Sequence, residues 1–204
     1  MTDHPPHGAD APIHAHASNG PPRPVKVAGY LAAAWCLGFA GVNVWEIATG
    51  PDDRLAAYAP GLAVIGVLVL VLKLVGAAVA LAAVTPGPPR VPVRVLAAAL
   101  WGAFGLLGLY SAGNVVITAG TVSGLLEPSA AWIAAGGVTP MAVLYVLFFM
   151  AGAALFGVVA VWFHRRHRVY WSTAVAGLVS APLLLTLILV VAPAVLGRLG
   201  LLPA

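Results

Sequence analysis

One side chain stands where chemistry is least expected. Lys73 lies between Val69-Leu70-Val71-Leu72 and Leu74-Val75-Gly76, and it is the lone ionisable residue of the run Gly61–Val84. An ammonium surrounded by hydrocarbon costs roughly 2.5–3.5 kcal/mol or more, so a lysine in such a place has a partner or a task. Partners of the right kind occur in two other apolar runs. Asn43 and Glu46 are spaced i, i+3, and Tyr110 and Asn114 are spaced i, i+4, so each pair shares one helical face. Asn43, Glu46, Lys73, Tyr110 and Asn114 therefore form a candidate intramembrane polar cluster. Two readings stay open. One is a polar pocket with Lys73 at its base, neutralised by Glu46 or by an anionic ligand. The other is a hydrogen-bond network that locks three helices together, with Lys73 snorkelling.

Depth along the chain is compatible with either. Counted at 1.5 Å per residue from Gly61, the Cα of Lys73 lies about 18 Å down its helix. Helical Cβ atoms tilt toward the helix N-terminus. Lys73 thus leans toward the start of its own segment, while Asn43 and Tyr110, on segments of opposite direction, lean back to meet it. Convergence in depth follows from this count; lateral convergence does not.

Other chemistry lacks a pattern. His4-x-x-His7 and His14-x-His16 have spacings that suit imidazole-binding metals, but no cysteine or carboxylate cluster accompanies them. Neither a metal site nor a cofactor site is expected. There is no phosphate-cradling glycine loop, nucleophile elbow or paired His-Glu zinc motif, so catalysis has no motif behind it. One cysteine excludes a disulfide scaffold. Ten Lys and Arg against six Asp and Glu look basic, yet they form no continuous basic face for nucleic acid.

The elements that must position the cluster follow from composition. The chain has 204 residues, of which 61% are hydrophobic and 8% charged. A soluble domain is about a quarter charged, so the chain reads as a polytopic membrane protein. Five apolar segments, at 27–49, 61–84, 93–120, 140–163 and 171–192, are each near the ~20 residues that a bilayer core requires. They must be helices, because hydrocarbon offers no partner to a bare backbone. The expected fold is all-α, a bundle of five transmembrane helices over residues 25–204. Residues 1–24, rich in His and Pro, read as a disordered tail. Pro182 is expected to kink the fifth helix.

Orientation comes from the basic residues. Arg23, Lys26, Arg90, Arg94, Arg165, Arg166 and Arg168 fall on one side, and only Arg54 and Arg198 on the other. The positive-inside rule places the first group in the cytoplasm, with the N-terminus inside and the C-terminus outside. The stretch from His164 to Arg168 reads as a polar hairpin, with Arg165, Arg166 and Arg168 beside anionic lipid headgroups. Between the third and fourth segments, residues 121–139 form either a surface loop or, from Pro128, a short interfacial helix. Gly102, Gly105 and Gly108, and the Gly120-x-x-x-Gly124 pair, suggest close packing of helices or a homo-oligomer.

The stretches Asn43-Val-Trp45-Glu46…Gly50, Val71-Leu-Lys73-Leu-Val-Gly76 and Tyr110-Ser-Ala-Gly-Asn114 resemble a group of small multi-helix integral membrane proteins of actinobacteria, a domain-of-unknown-function family. The resemblance covers roughly residues 26–166 and implies a four-helix arrangement in a bacterial plasma membrane. The histidine tail and the fifth helix then look like additions. It implies no activity. The expected role is that of a non-enzymatic membrane protein acting through protein or lipid partners. The alternative is a small transporter or permeation component built around Lys73.

Overall fold

A computed structural model describes residues 20–49, 59–87, 91–128 and 137–200. Six α-helical stretches account for most of them, and no strand occurs among the described residues. The helices are α1 (Arg23–Thr49), α2 (Ala59–Val84), α3 (Val93–Val122), α4 (Pro140–Arg166), α5 (Trp171–Thr186) and α6 (Ala192–Arg198). Four of them, α1 to α4, are long and apolar enough to cross a membrane. The fifth span expected from the sequence is divided. Between α5 and α6 lies a π-helical turn, Leu187–Val191, so the helical backbone continues without a break from Trp171 to Arg198.

The π turn stands immediately before the sequence Ala192-Pro193, and a proline cannot donate to the helical carbonyl four residues earlier. At Pro182 the backbone remains α-helical through to Thr186, whose hydroxyl donates to the Pro182 carbonyl at 2.8 Å.

The helix ends depart from the sequence reading in three places. α1 begins at Arg23, inside the stretch read as tail, because Pro24 in a first turn gives up an N–H that has no helical partner anyway. α4 runs through Arg166, so His164 to Arg166 are helical rather than part of a hairpin. The third difference is Gly120-x-x-x-Gly124, which is no helix-pairing face: it closes α3. Gly124 takes φ +74°, Leu125 N–H donates to Gly120 O at 2.9 Å, and Gly124 N–H donates to Thr121 O at 3.1 Å. This is a Schellman cap. Leu126 folds over Gly120, where a Cβ would meet its side chain at 2.6 Å. The histidine pairs of residues 1–19, the turn at 50–54 and the Ala-rich stretch 130–135 lie outside the described residues.

α1 packs on α2 and α4, while α3 packs on α4 and α5. Small residues make the closest approaches. Gly29 of α1 lies against Val84 of α2, and Gly177 of α5 lies against Ala98, Trp101 and Gly102 of α3. Gly102 and Gly105 thus serve contacts within the chain.

The buried core lies toward one end of the bundle. Its members are Val25 to Cys36 of α1, Ala77 to Val84 of α2, Leu96 to Trp101 of α3, Phe156 to Phe163 of α4, and Ala174 of α5. Arg23, Lys26, Arg94, Arg165 and Arg166 belong to the same end, here called the basic end. Toward the opposite end the helices expose large apolar side chains, among them Val42, Val44, Val67, Val116, Ile117 and Leu144.

Candidate functional site

A cavity of about 500 Å³ occupies the middle of the bundle, where the tight core gives way to the looser half. Helices α1 to α5 and the π turn all contribute to its wall. Most of that wall is hydrocarbon and aromatic ring. Its polar groups are Asn43, Lys73, Tyr110, Tyr145, Cys36 and Ser180.

Lys73 reaches from α2 across to α1. Its ammonium donates to Asn43 Oδ1 at 2.6 Å and to the Phe39 carbonyl at 3.4 Å. It also lies 3.2 Å from the centroid of the Phe39 ring. Phe39 and Asn43 are one turn apart on α1, so a single helical face supplies these three contacts. Attraction to a ring face is strongest where water is excluded, which adds to the two hydrogen bonds. Asn43 is itself buried, at 8% exposure.

The aromatic wall follows from a second pair of i, i+4 spacings. Trp35 and Phe39 project from α1, and Tyr145 and Phe149 from α4. Phe39 approaches Phe149 at 5.4 Å and Tyr145 at 6.2 Å, and Tyr110 of α3 lies 4.7 Å from Phe149. Trp35 stacks on Phe148 at 4.9 Å, and its indole N–H donates to the Phe148 carbonyl at 3.2 Å. Gly152 permits this approach, since a Cβ there would come within 2.9 Å of the Trp35 ring. Edge-to-face and tilted pairs of this kind hold their geometry better than aliphatic contacts. The cation is thus set against a rigid surface.

Of the five cluster residues, Asn43, Lys73 and Tyr110 line the same cavity. Asn114 does not. Its amide donates to the Tyr110 carbonyl at 2.8 Å, a bond along its own helix. The Glu46 side chain lies outside what the structure describes, although its backbone belongs to α1. Sequence reasoning passed over Phe39, Tyr145 and Phe149. The Trp35/Phe39 and Tyr145/Phe149 spacings were the available signal, since each pair marks an aromatic helix face.

At the basic end, His164 departs from the polar hairpin expected of its stretch. It is 6% exposed and lies 4.5 Å from the ring of Trp171 and 6.2 Å from that of Trp101. Its Nδ1 and the indole nitrogen of Trp101 are buried with no hydrogen-bond partner. Nearby, Trp101, Phe104, Val158, Val161 and Trp162 line an open apolar trough that ends at Arg165 and Arg166. Among the described residues there is no group of three or more His, Cys, Asp and Glu placed to hold a metal ion. No family model, no curated protein and no solved structure matches this chain.

Proposed function

We propose that this chain is a non-enzymatic, multi-pass integral membrane protein of a bacterial plasma membrane that binds an anionic ligand at Lys73, within the bilayer. Its spans number five, with the helix Trp171–Arg198 as the fifth. The basic end faces the cytoplasm, a reading supported by the distribution of Lys and Arg. Exposed apolar side chains along the helices support the membrane setting, because a water-soluble surface seldom carries contiguous apolar area on this scale.

The observation that carries the reading is the cavity itself. A helix-locking lysine needs only its partner on the next helix, and close packing would serve it best. Here the ammonium borders about 500 Å³ of apolar space, within the ~300–1,000 Å³ common for small-molecule sites. Binding sites of this type combine an apolar wall with a few convergent polar groups, and Lys73, Asn43, Tyr110 and Tyr145 supply them. This favours the small-carrier alternative over a purely structural lysine.

A second partner is favoured by a separate feature. Arg165 and Arg166 close the apolar trough at the basic end, which suits the phosphate and chains of an anionic phospholipid in the inner leaflet.

The test compares octanoate with octanol on the purified full-length protein in nanodiscs. Octanoate binds about tenfold or more tightly than octanol, and the difference disappears in Lys73→Met and survives in Lys73→Arg. Circular dichroism and gel filtration confirm that both variants fold. Equal binding of octanoate by the wild type and a folded Lys73→Met protein would falsify the reading.

A further inference from the structure

We infer that the ligand is a single-chain lipid-class anion, such as a long-chain carboxylate, drawn sideways out of the bilayer through the gap between α2 and α5. The inference rests on Lys73 as an anion site and adds the class of ligand and its route.

The cavity's strongest polar groups are gathered toward one end. Asn43, Tyr110 and Tyr145 line it toward the end away from the basic residues, and Lys73 lies at mid-length. Toward the basic end the wall is Val79, Ala99, Ala103 and Phe156, with only the Cys36 thiol beside Gly76 and the Ser180 hydroxyl, which donates to the Gly177 carbonyl at 2.6 Å, as polar atoms. An amphipath with its head at Lys73 would point its chain toward the basic end. In the proposed orientation the chain points the same way as that of an outer-leaflet lipid, with the head drawn deeper into the bilayer. A volume of about 500 Å³ holds one chain and is too small for a two-chain phospholipid.

The wall has a lateral weakness. α2 and α5 both line the cavity, through Val69, Leu72 and Val75 on one side and Ser180, Leu184 and Ile188 on the other. Yet α2 packs on α1 and α5 packs on α3, with no packed α2–α5 interface among the described residues. The gap is bounded where α6 meets α2 and where α2 meets α3. Val75 marks its edge. It lies about 160° round the helix from Lys73, lines the cavity, and is 51% exposed. Only lipid chains would flank such a gap in a bilayer. A chain slides through it at no hydration cost, so only the carboxylate sheds water, against Lys73; a solute hydrated all round would have to shed its whole shell.

The π turn lies on the opposite lip, with Ile188 in the cavity wall. Turns of this kind concentrate at functional positions, because they re-aim side chains within an otherwise regular helix.

The experiment uses the full chain in nanodiscs, with hexadecanoate, hexadecanol and butanoate as probes. Hexadecanoate should bind about tenfold more tightly than hexadecanol, a preference lost in Lys73→Met. Butanoate should fail to displace it even at large molar excess. Val75→Trp, which places an indole in the gap, should slow hexadecanoate dissociation about fivefold; a side chain that merely crowded the cavity would speed dissociation instead. Ile188→Trp, on the other lip, provides the same measurement if Val75→Trp does not fold. Displacement by butanoate, or unchanged or faster dissociation in the folded lip variant, overturns the inference while Lys73-dependent anion binding stands. Loss of the hexadecanoate preference in the wild type overturns both.

Discussion

The ammonium of Lys73, near the middle of α2, donates at 2.6 Å to the carboxamide oxygen of Asn43, in the C-terminal third of α1. Interhelical hydrogen bonds in membranes average about 0.6 kcal/mol, with values up to about 1.7. A charged donor raises the expectation to the upper part of that range. Unfolding of Lys73→Met, Asn43→Leu and the double variant in mild detergent should therefore give a coupling energy of about 1–2 kcal/mol. Asn43→Leu should be the worst of the three, because it deprives a part-buried cation of one acceptor while leaving the charge in place. Strict additivity of the two single substitutions would show that the bond contributes nothing to the fold.

A second prediction concerns the contact of α3 with α5. A Cβ on Gly177 would run into the Ala98 carbonyl, come within 2.8 Å of Trp101 Cβ and within 3.1 Å of the Gly102 nitrogen. These are backbone or backbone-proximal atoms, so no side-chain rotation can make room. Gly177→Ala should cost about 1–3 kcal/mol through overpacking. Gly108 provides the contrast, because nothing lies within 4 Å of a Cβ placed there. Gly108→Ala should be neutral or stabilising by up to about 1 kcal/mol, the helix-propensity difference. Melting temperatures in detergent check both, and equal effects at the two positions would contradict the packing described.

Much of this architecture was legible because apolar runs long enough to cross a membrane leave the backbone few options. The apolar runs and the Pro- and Gly-rich breaks place α1 to α4 within a few residues of their observed ends, and helix direction alone brings Lys73 and Asn43 to a common depth. What composition does not encode is lateral neighbourhood. Asn114 shares a face with Tyr110, but its amide bonds along α3, a choice made by rotamer and not by spacing. Phe39 escaped notice because an aromatic in an apolar run looks like any core residue until a cation is set against it. Gly120 and Gly124 have the spacing of a helix-pairing motif and the job of a helix stop; only the φ of Gly124 separates the two. His164 reads as polar from its basic neighbours, although i, i+4 from Ala160 places it on the buried face of α4.

A third prediction is a pH dependence at the α4–α5 turn. Partial burial, and after it the neighbouring charge of Arg166, hold His167 below its ordinary value of 6.5; its ring lies 4.3 Å from that of Phe163. The folded state thus binds a proton here less readily than the unfolded chain. The associated stability is present above the unfolded value and is lost as pH falls through it toward the folded value. Thermal unfolding in a non-ionic detergent, where no anionic lipid adds its own field, should show stability declining from about pH 7 to about pH 5. His167→Gln should flatten that decline. An unchanged profile in His167→Gln would assign the dependence to other groups.

The same turn contains the one non-glycine residue with positive φ among those described, Arg168 at +46°. It follows the C-cap His167, whose N–H donates to Phe163 O at 3.0 Å, and it lets Val169 N–H turn back to His164 O at 3.2 Å, the six-to-one bond of a left-handed helix end. A left-handed conformation costs an L-residue about 1–2 kcal/mol relative to the right-handed one, and glycine escapes this cost. Arginine here adds to the basic end, and that charge is the reason to tolerate the strain. Arg168→Gly should raise stability in detergent by up to about 1 kcal/mol. Arg168→Asn should fall between the two, and Arg168→Val should be worse than the wild type, since a β-branched side chain is least at ease at positive φ. The order Gly, Asn, Arg, Val in melting temperature is the expected outcome. Insertion should instead separate the wild type from all three variants alike, because in the proposed orientation each substitution removes one of the charges that would hold this turn in the cytoplasm. Cysteine accessibility at an engineered site in the turn reports that topology. A valine variant as stable as the glycine variant would mean that the turn does not hold Arg168 in the left-handed conformation.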